Sequence, residues 1–289
     1  MTLASGASLS GKGTVAAPLT APLSGGGTIT ASGGTLDLTG PVSSGLTLAI
    51  NSTVASDLKI DGTAVTAATI AISSANQTLE IGGVGSSLTI GASESITGGH
   101  IQLDDGTLAD ASGITLGAGA TLSGMGTVSA PVSGGGTITA SGGTLVFQGA
   151  VDSSAASAFQ IANVPGADLQ FDGNVGTSSV DPTISFNGAN GLLDLSRTTL
   201  ANFKGTIANF APGDGIEVAG ATGATLDSTG RILTVTGASG SLGTITLGVM
   251  ISKFGVARKV MHPLVKMQIA RSGSRLLPMF LFFWLAGCP

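Results

Sequence analysis

Thirteen letters, SGGGTITASGGTL, occupy residues 24–36 and return unchanged at residues 133–145, 109 positions on. A chain that accepts a verbatim copy of that length is built from interchangeable neighbours, because self-similarity at a fixed offset is the mark of stacked repeats. The copy is wider than the phrase. LSGKGTV at residues 9–15 answers LSGMGTV at 122–128, now at an offset of 113, and the difference is visible where AAPLTAPL at 16–23 faces the shorter SAPV at 129–132. Downstream, SDLKIDG at 56–62 matches ADLQFDG at 167–173, and TIAISSANQTLEI at 69–81 parallels TISFNGANGLLDL at 183–195. The repeating unit is therefore about 110 residues, which divides the chain into units at 1–112 and 113–248 and a dissimilar tail at 249–289.

Each unit is made of smaller beats. Apolar residues alternate at Leu46, Leu48 and Ile50, at Leu58 and Ile60, at Ile70 and Ile72, at Leu79 and Ile81, and at Leu88 and Ile90. Alternation sets such side chains on one face of a strand. The beats recur roughly every 8 to 12 residues between Gly-Gly, Ser-Gly, Asn-Gly and Asp-Gly pairs, a spacing that suits a sandwich, a barrel or a solenoid. The number of strands, the long repeat and the lack of a helical stretch in the body favour the solenoid. The expected fold is all-β, a right-handed parallel β-helix of short Gly-punctuated strands.

Composition narrows function further. Gly is 47 of 289 residues and charged residues are only 9%, against roughly 25% in ordinary domains. With 42% hydrophobic residues the chain is nevertheless no disordered polymer. All sixteen acids precede Met250, against five bases there, a net charge of −11, whereas the remainder carries six bases and no acid. So few cations in the body exclude the basic stripe that nucleic acid requires. The body has no cysteine, which excludes a disulfide framework or thiolate metal site there and suits an exported bacterial protein.

The style of residues 11–40 and 124–149 resembles the passenger regions of bacterial autotransporters and related large secreted surface proteins. IANFAPGDGIEVAG…RILTVTGASGSLGTITLG, within 207–248, is similar to a segment found near the C-terminal end of such proteins. The resemblance implies a right-handed parallel β-helix, export to the outer membrane surface or the medium, and adhesion.

Met1 opens onto TLASGASLSG, inside a repeat and without a charged start or apolar run, so a fragment or misassigned start is expected. The tail departs abruptly in composition. Residues 276–288 are too short to span a bilayer, which takes about 18 to 20 apolar residues, and Pro278 interrupts them. The tail carries LAGC at 285–288, like a lipoprotein signal ending at Cys288, which functions only at an N-terminus. An out-of-frame or neighbouring-gene origin is expected, and an uninterrupted, independently recurring reading frame through codon 289 would overturn it.

Candidate chemistry is sparse. HIQLDDGTLAD offers His100, Asp104, Asp105 and Asp110, and paired carboxylates could act as acid and base on a glycoside. Adjacent strand residues diverge, however, and Asp105-Gly106 matches the turn-forming Asp-Gly pairs at Asp61, Asp172 and Asp214, so a turn role is expected. Sugar-active sites rely on aromatic platforms, whereas Phe147, Phe171 and Phe186 alternate like core residues. GGVGSSLTI at 82–90 is the nearest string to a calcium-roll repeat, with Ser87 where a carboxylate is needed. Asp214 and Glu217 could supply oxygen ligands, and His100 and His262 lack a spaced partner for zinc. GKGT at 11–14 lacks phosphate-loop spacing, and Met125 replaces Lys12 in the second copy. Thr28, Thr137, Thr234 and Thr244 begin or continue Thr-x-Thr strings that, stacked outward, would make a hydroxyl ladder for ice or sugar; solvent-facing strand threonines are the simpler expectation.

The sequence thus predicts a noncatalytic structural or adhesive segment of a bacterial surface or secreted protein. No catalytic, cofactor or metal residue is assigned. Partners would be glycan, extracellular matrix or neighbouring cells, with no nucleic acid and no membrane span in the body. A carbohydrate-active β-helix enzyme, a polysaccharide lyase or hydrolase, is the alternative, and an inert spacer stalk is a third reading.

Overall fold

A computed structural model describes residues 1–152, 158–176 and 181–248, with the backbone of strands Phe254–Val256, Leu264–Ile269 and Met279–Trp284. The chain is nearly all β, with parallel coils stacked into a β-solenoid of about ten turns, as the repeats predict. It forms two compact units, Met1–Ile138 with Phe147–Ala150, and Thr139–Val146 with Val151–Pro289. These divisions follow contact, whereas 1–112 and 113–248 follow copying. His262 and most of 249–289 lie outside the described residues.

In the first unit each coil runs along three faces, and register pairs trace each one. On one face Gly13 pairs with Leu36, and the row continues through Leu58, Leu79 and Ile101 to Leu122. The steps are 21 to 23 residues, so each of the three faces has about seven residues, a closer spacing than the 8 to 12 of the sequence beats. A second face carries Leu9, Ile29 and Leu48 as successive partners. The third carries Leu19, Val42, Ala64, Leu88, Leu108 and Val128. Leu36, Leu58, Leu79, Ile101 and Leu122 are all buried, and burying each such side chain stabilises by about 1.5–3 kcal/mol. The alternation read from the sequence is this inward set.

The interior also holds polar side chains, and they sit where coils turn. Ser56 and Gln77 are register partners at one corner. Gln77 Oε1 accepts from the Ser73 and Ser74 amides at 2.8 and 3.1 Å, and its Nε2 donates to the Ile50 and Ala71 carbonyls, each at 2.7 Å. Ser56 Oγ accepts from Gly33 N at 3.1 Å and donates to the Val54 carbonyl at 2.9 Å. A corner interrupts the backbone ladder, and these side chains supply the missing partners.

One expected strand is absent for this reason. Ile70 and Ile72 are buried as predicted, yet their segment is not a strand. Ile70 N donates to Glu94 Oε2 at 2.8 Å, while Ala71 O and Ser73 N are held by Gln77. Side chains replace ladder bonds at Ile70, Ala71 and Ser73, while Ile72 O still accepts from Thr97 N of the next coil at 3.1 Å.

The second unit stacks Ala158–Ile161, Thr183–Phe186 and Thr206–Ala208 in parallel, beside Asp168–Phe171, Leu192–Leu195 and Gly215–Ala219. Its core is aromatic, with ring centroids 5.4 Å apart for Phe159 and Phe171 and for Phe186 and Phe210. Phe147, Phe171 and Phe186 are buried, as their alternation predicts. The chain then leaves the parallel pattern. Ala221–Leu226, Ile232–Gly237 and Gly240–Leu247 pair antiparallel, because short reversals replace the long crossover that parallel strands need. At the first reversal Asp227 Oδ1 accepts from the amides of Arg231 and Ile232 at 2.9 and 3.0 Å.

Candidate functional site

Inward residues leave alternate positions facing out, so the register that builds the core also arranges the surface. On the third face of the first unit, Thr63, Ser87, Thr107 and Thr127 are successive partners, and Val65, Thr89, Ala109 and Ser129 form the row beside them. None of these eight residues is charged. Strands about 4.8 Å apart with a two-residue step of about 6.6 Å make this a regular grid of small, mostly hydroxyl-bearing side chains. Ser87, which spoils a calcium-roll reading of residues 82–90, is one of its members.

The neighbouring face differs in charge. Asp37, Lys59, Glu80, Gln102 and Ser123 form one outward row, and Thr35, Asp57, Thr78, His100 and Thr121 the other. Lys59 Nζ lies 3.1 Å from Glu80 Oε1 and 3.3 Å from Asp61 Oδ2. Its hydrogen bond to Glu80 is the main cause that pushes its pKa up to about 12. Burial, then the charge of Asp61, raises Asp37; burial likewise raises Asp57, which accepts a hydrogen bond from Thr35 Oγ1 at 3.1 Å. Among the described residues no cluster of three or more His, Cys, Asp or Glu is arranged to hold a metal ion.

The residues singled out in HIQLDDGTLAD are dispersed rather than assembled. His100 faces outward, with Nδ1 2.8 Å from Thr121 Oγ1. Asp104 and Asp105 are exposed, and Asp105, with φ 67°, lies at a register shift within the strand Glu94–Asp110 rather than in the expected turn. Asp110 is fully buried inside the coil. Its Oδ1 accepts from the amides of Ser112 and Gly113 at 2.8 and 3.1 Å, and its Oδ2 from Glu94 N at 3.2 Å. It ties a corner from within, on the opposite side of the strand from the other two carboxylates.

Asp214 does the same in the second unit. It is fully buried, with Oδ2 accepting from Ala211 N at 2.8 Å and Oδ1 from Gly191 N at 3.2 Å. Burial pushes its pKa up to about 6 against those hydrogen bonds, which favour the charged form. The folded state therefore holds this proton more tightly than the unfolded chain. The stabilisation is complete below the unfolded value of 3.8 and is lost as pH rises through about 6. We expect an effect on the order of 2–3 kcal/mol across that window. Denaturant melts of wild type and Asp214→Asn from pH 4 to 7 test it; parallel stability curves for the two proteins would refute it.

The remaining candidates fall in separate settings. Glu217 pairs in register with Asp194 on the preceding coil. Thr28 pairs with Ser8 and Thr47, whereas Thr234 and Thr244 face each other in the antiparallel meander, and Thr137 begins the strand Thr137–Phe147. These four threonines do not share one ladder; the hydroxyl grid is formed by others. In the second unit a cleft of about 290 Å³ is lined by Asp181, Leu200, Phe203, Lys204, Thr244 and Thr246 among others.

No protein-family model, curated protein or solved structure matches this chain. Among the described residues, no helix is long and apolar enough to cross a membrane. The grid and the Lys59 row escaped the sequence reading because their members lie a whole coil apart. A search at 21 to 23 residues, which links Asp37, Lys59 and Glu80, would have found the second.

Proposed function

We propose that this chain is a noncatalytic structural and adhesive segment of a bacterial surface or secreted protein, of the autotransporter-passenger kind. The observation that carries the reading is the uncharged grid of Thr63, Ser87, Thr107 and Thr127 beside Val65, Thr89, Ala109 and Ser129. Backbone ladders hold its hydroxyls at fixed spacing, so a polyhydroxyl ligand meets a pre-organised surface and loses little entropy to ordering it. The absence of charge there favours neutral glycan over nucleic acid or an anionic lipid surface. The stacked coils themselves serve as the support.

Glycan arrays and binding to whole cells test the proposal. The wild-type chain is expected to retain a restricted set of glycans, and the double substitution Thr89→Glu and Thr107→Glu to weaken that binding by about tenfold or more, a difference of about 1.4 kcal/mol. A folded chain that binds no glycan, matrix component or cell would leave the inert-spacer reading. Turnover of a polysaccharide that is lost in Asp104→Asn or Asp105→Asn would favour the enzyme instead.

A further inference from the structure

The strand Gly240–Leu247 belongs to two arrangements at once. Its last residues continue the parallel stack of the second unit, where Thr206 pairs with Thr246 and Ile207 with Leu247. Its earlier part leaves that stack for the antiparallel meander, with Thr244 opposite Thr234 and Gly243 opposite Val235. A strand that departs from the coil beside it leaves room at the point of departure, and the cleft of about 290 Å³ lies there. One wall is formed by Leu200, Phe203 and Lys204, the other by Leu242, Thr244 and Thr246. The walls close together at Gly243, where an added Cβ would lie 2.8 Å from Leu200 Cβ. The volume stands at the lower end of the range for small-molecule sites, which begins near about 300 Å³.

Two opposite charges line this space. Thr206 N donates to Pro182 O at 2.9 Å and Lys204 N to Val175 O at 2.8 Å, so neighbouring coils fix the backbone at Lys204 and beside Asp181. Both side chains reach over one glycine: a Cβ on Gly176 would lie 2.9 Å from Lys204 Cβ and 3.3 Å from Asp181 Oδ1. Both residues are exposed, and among the described residues neither enters an ion pair. Lys204 is one of only five bases before Met250, so a scarce cation stands at the cleft. Thr246 is also the last of a column in which Thr183, Thr206 and Thr246 are successive register partners, about 4.8 Å apart. The column of hydroxyls therefore ends inside the cleft.

We infer that the cleft is a binding site for a sugar acid, a uronate ring carried by a glycan. Its carboxylate meets Lys204, its hydroxyls donate to Asp181 and share hydrogen bonds with Thr244 and Thr246, and its C–H face rests on Leu200. Further rings follow the column to Thr206 and Thr183. Other ligand classes use this set less fully. A neutral sugar leaves Lys204 without a partner, and a phosphate brings a second negative charge against Asp181. Hydrogen bonds to an ionised group are roughly twice as strong as neutral ones, so the carboxylate is the group that selects. This goes beyond the proposed function, because the hydroxyl grid of the first unit takes neutral glycan and shares no residue with the cleft.

The probes are methyl β-glucuronoside and methyl β-glucoside, which differ only by a carboxylate in place of a hydroxymethyl group. Each is titrated into the 289-residue chain and followed by amide NMR. Saturable shifts are expected at residues 200–205 and 242–246, with the glucuronoside bound about tenfold more tightly. Lys204→Gln should abolish that preference and Lys204→Arg should retain it. The double substitution Thr89→Glu and Thr107→Glu should leave glucuronoside binding unchanged, so a failed grid and a failed cleft read differently. The inference is overturned by the absence of saturable shifts at about 10 mM glucuronoside, by equal affinity for the glucoside, or by a preference that survives Lys204→Gln. Glycine bound as tightly as the glucuronoside would also overturn it, since the site would then suit any small zwitterion.

Discussion

Gln77→Leu is expected to destabilise the first unit by about 3–5 kcal/mol in urea or guanidinium unfolding, although leucine fills nearly the same volume. The loss arises because one amide side chain satisfies four backbone groups, the Ser73 and Ser74 amides and the Ile50 and Ala71 carbonyls. Gln77 is only 2% exposed, so water cannot readily replace it. Gln77→Glu keeps the two acceptor contacts but sets its second carboxylate oxygen against the Ile50 and Ala71 carbonyls, so near neutral pH it should cost at least as much as leucine, and less where acid protonates it. A change below about 1 kcal/mol for leucine would mean that the corner relaxes to satisfy itself.

The second large effect compares two alanines. Gly124→Ala should cost about 3 kcal/mol or more, since its φ of 111° strains any L side chain and its Cβ would lie 1.9 Å from Leu103 O. Gly11→Ala meets similar backbone strain at φ 134° but no neighbour within 4 Å, and should cost about 1–2 kcal/mol. The two thermal or denaturant transitions, measured side by side, separate backbone strain from stacking of the preceding coil. Equal losses would show that stacking contributes little at this strand.

The core was legible because its rule is simple. Leu58 and Ile60, Leu79 and Ile81, and Leu88 and Ile90 alternate in the sequence and point inward in the structure. What the sequence concealed were positions where backbone geometry, rather than polarity, decides location. Asp110 and Gln77 are polar letters and look like surface residues, yet corners need partners for interrupted backbone groups, and these side chains provide them from inside. Ile70 and Ile72 look like a strand for the complementary reason: their burial is periodic, while Ile70 N donates to Glu94 and the neighbouring Ala71 O and Ser73 N are held by Gln77. The antiparallel meander carries the same alternation as the coils, so periodicity alone could not set its direction. The surface grid required knowing the length of a coil, which the roughly 110-residue repeat obscures because it contains several.

The register rows also carry a consequence for how such a chain grows. Followed back coil by coil, Leu122 leads through five steps to Gly13, and Val128 leads to Leu19. Yet the letters that match Leu122 and Val128 are Leu9 and Val15, one face earlier on the circuit. The duplicated phrase has therefore advanced five turns and one side of the triangle. It encodes a strand, a bend and a strand, but not a compass bearing. A solenoid with three equivalent sides can lengthen by blocks that are not whole turns, and whatever one copy displays to the north its twin displays to another quarter.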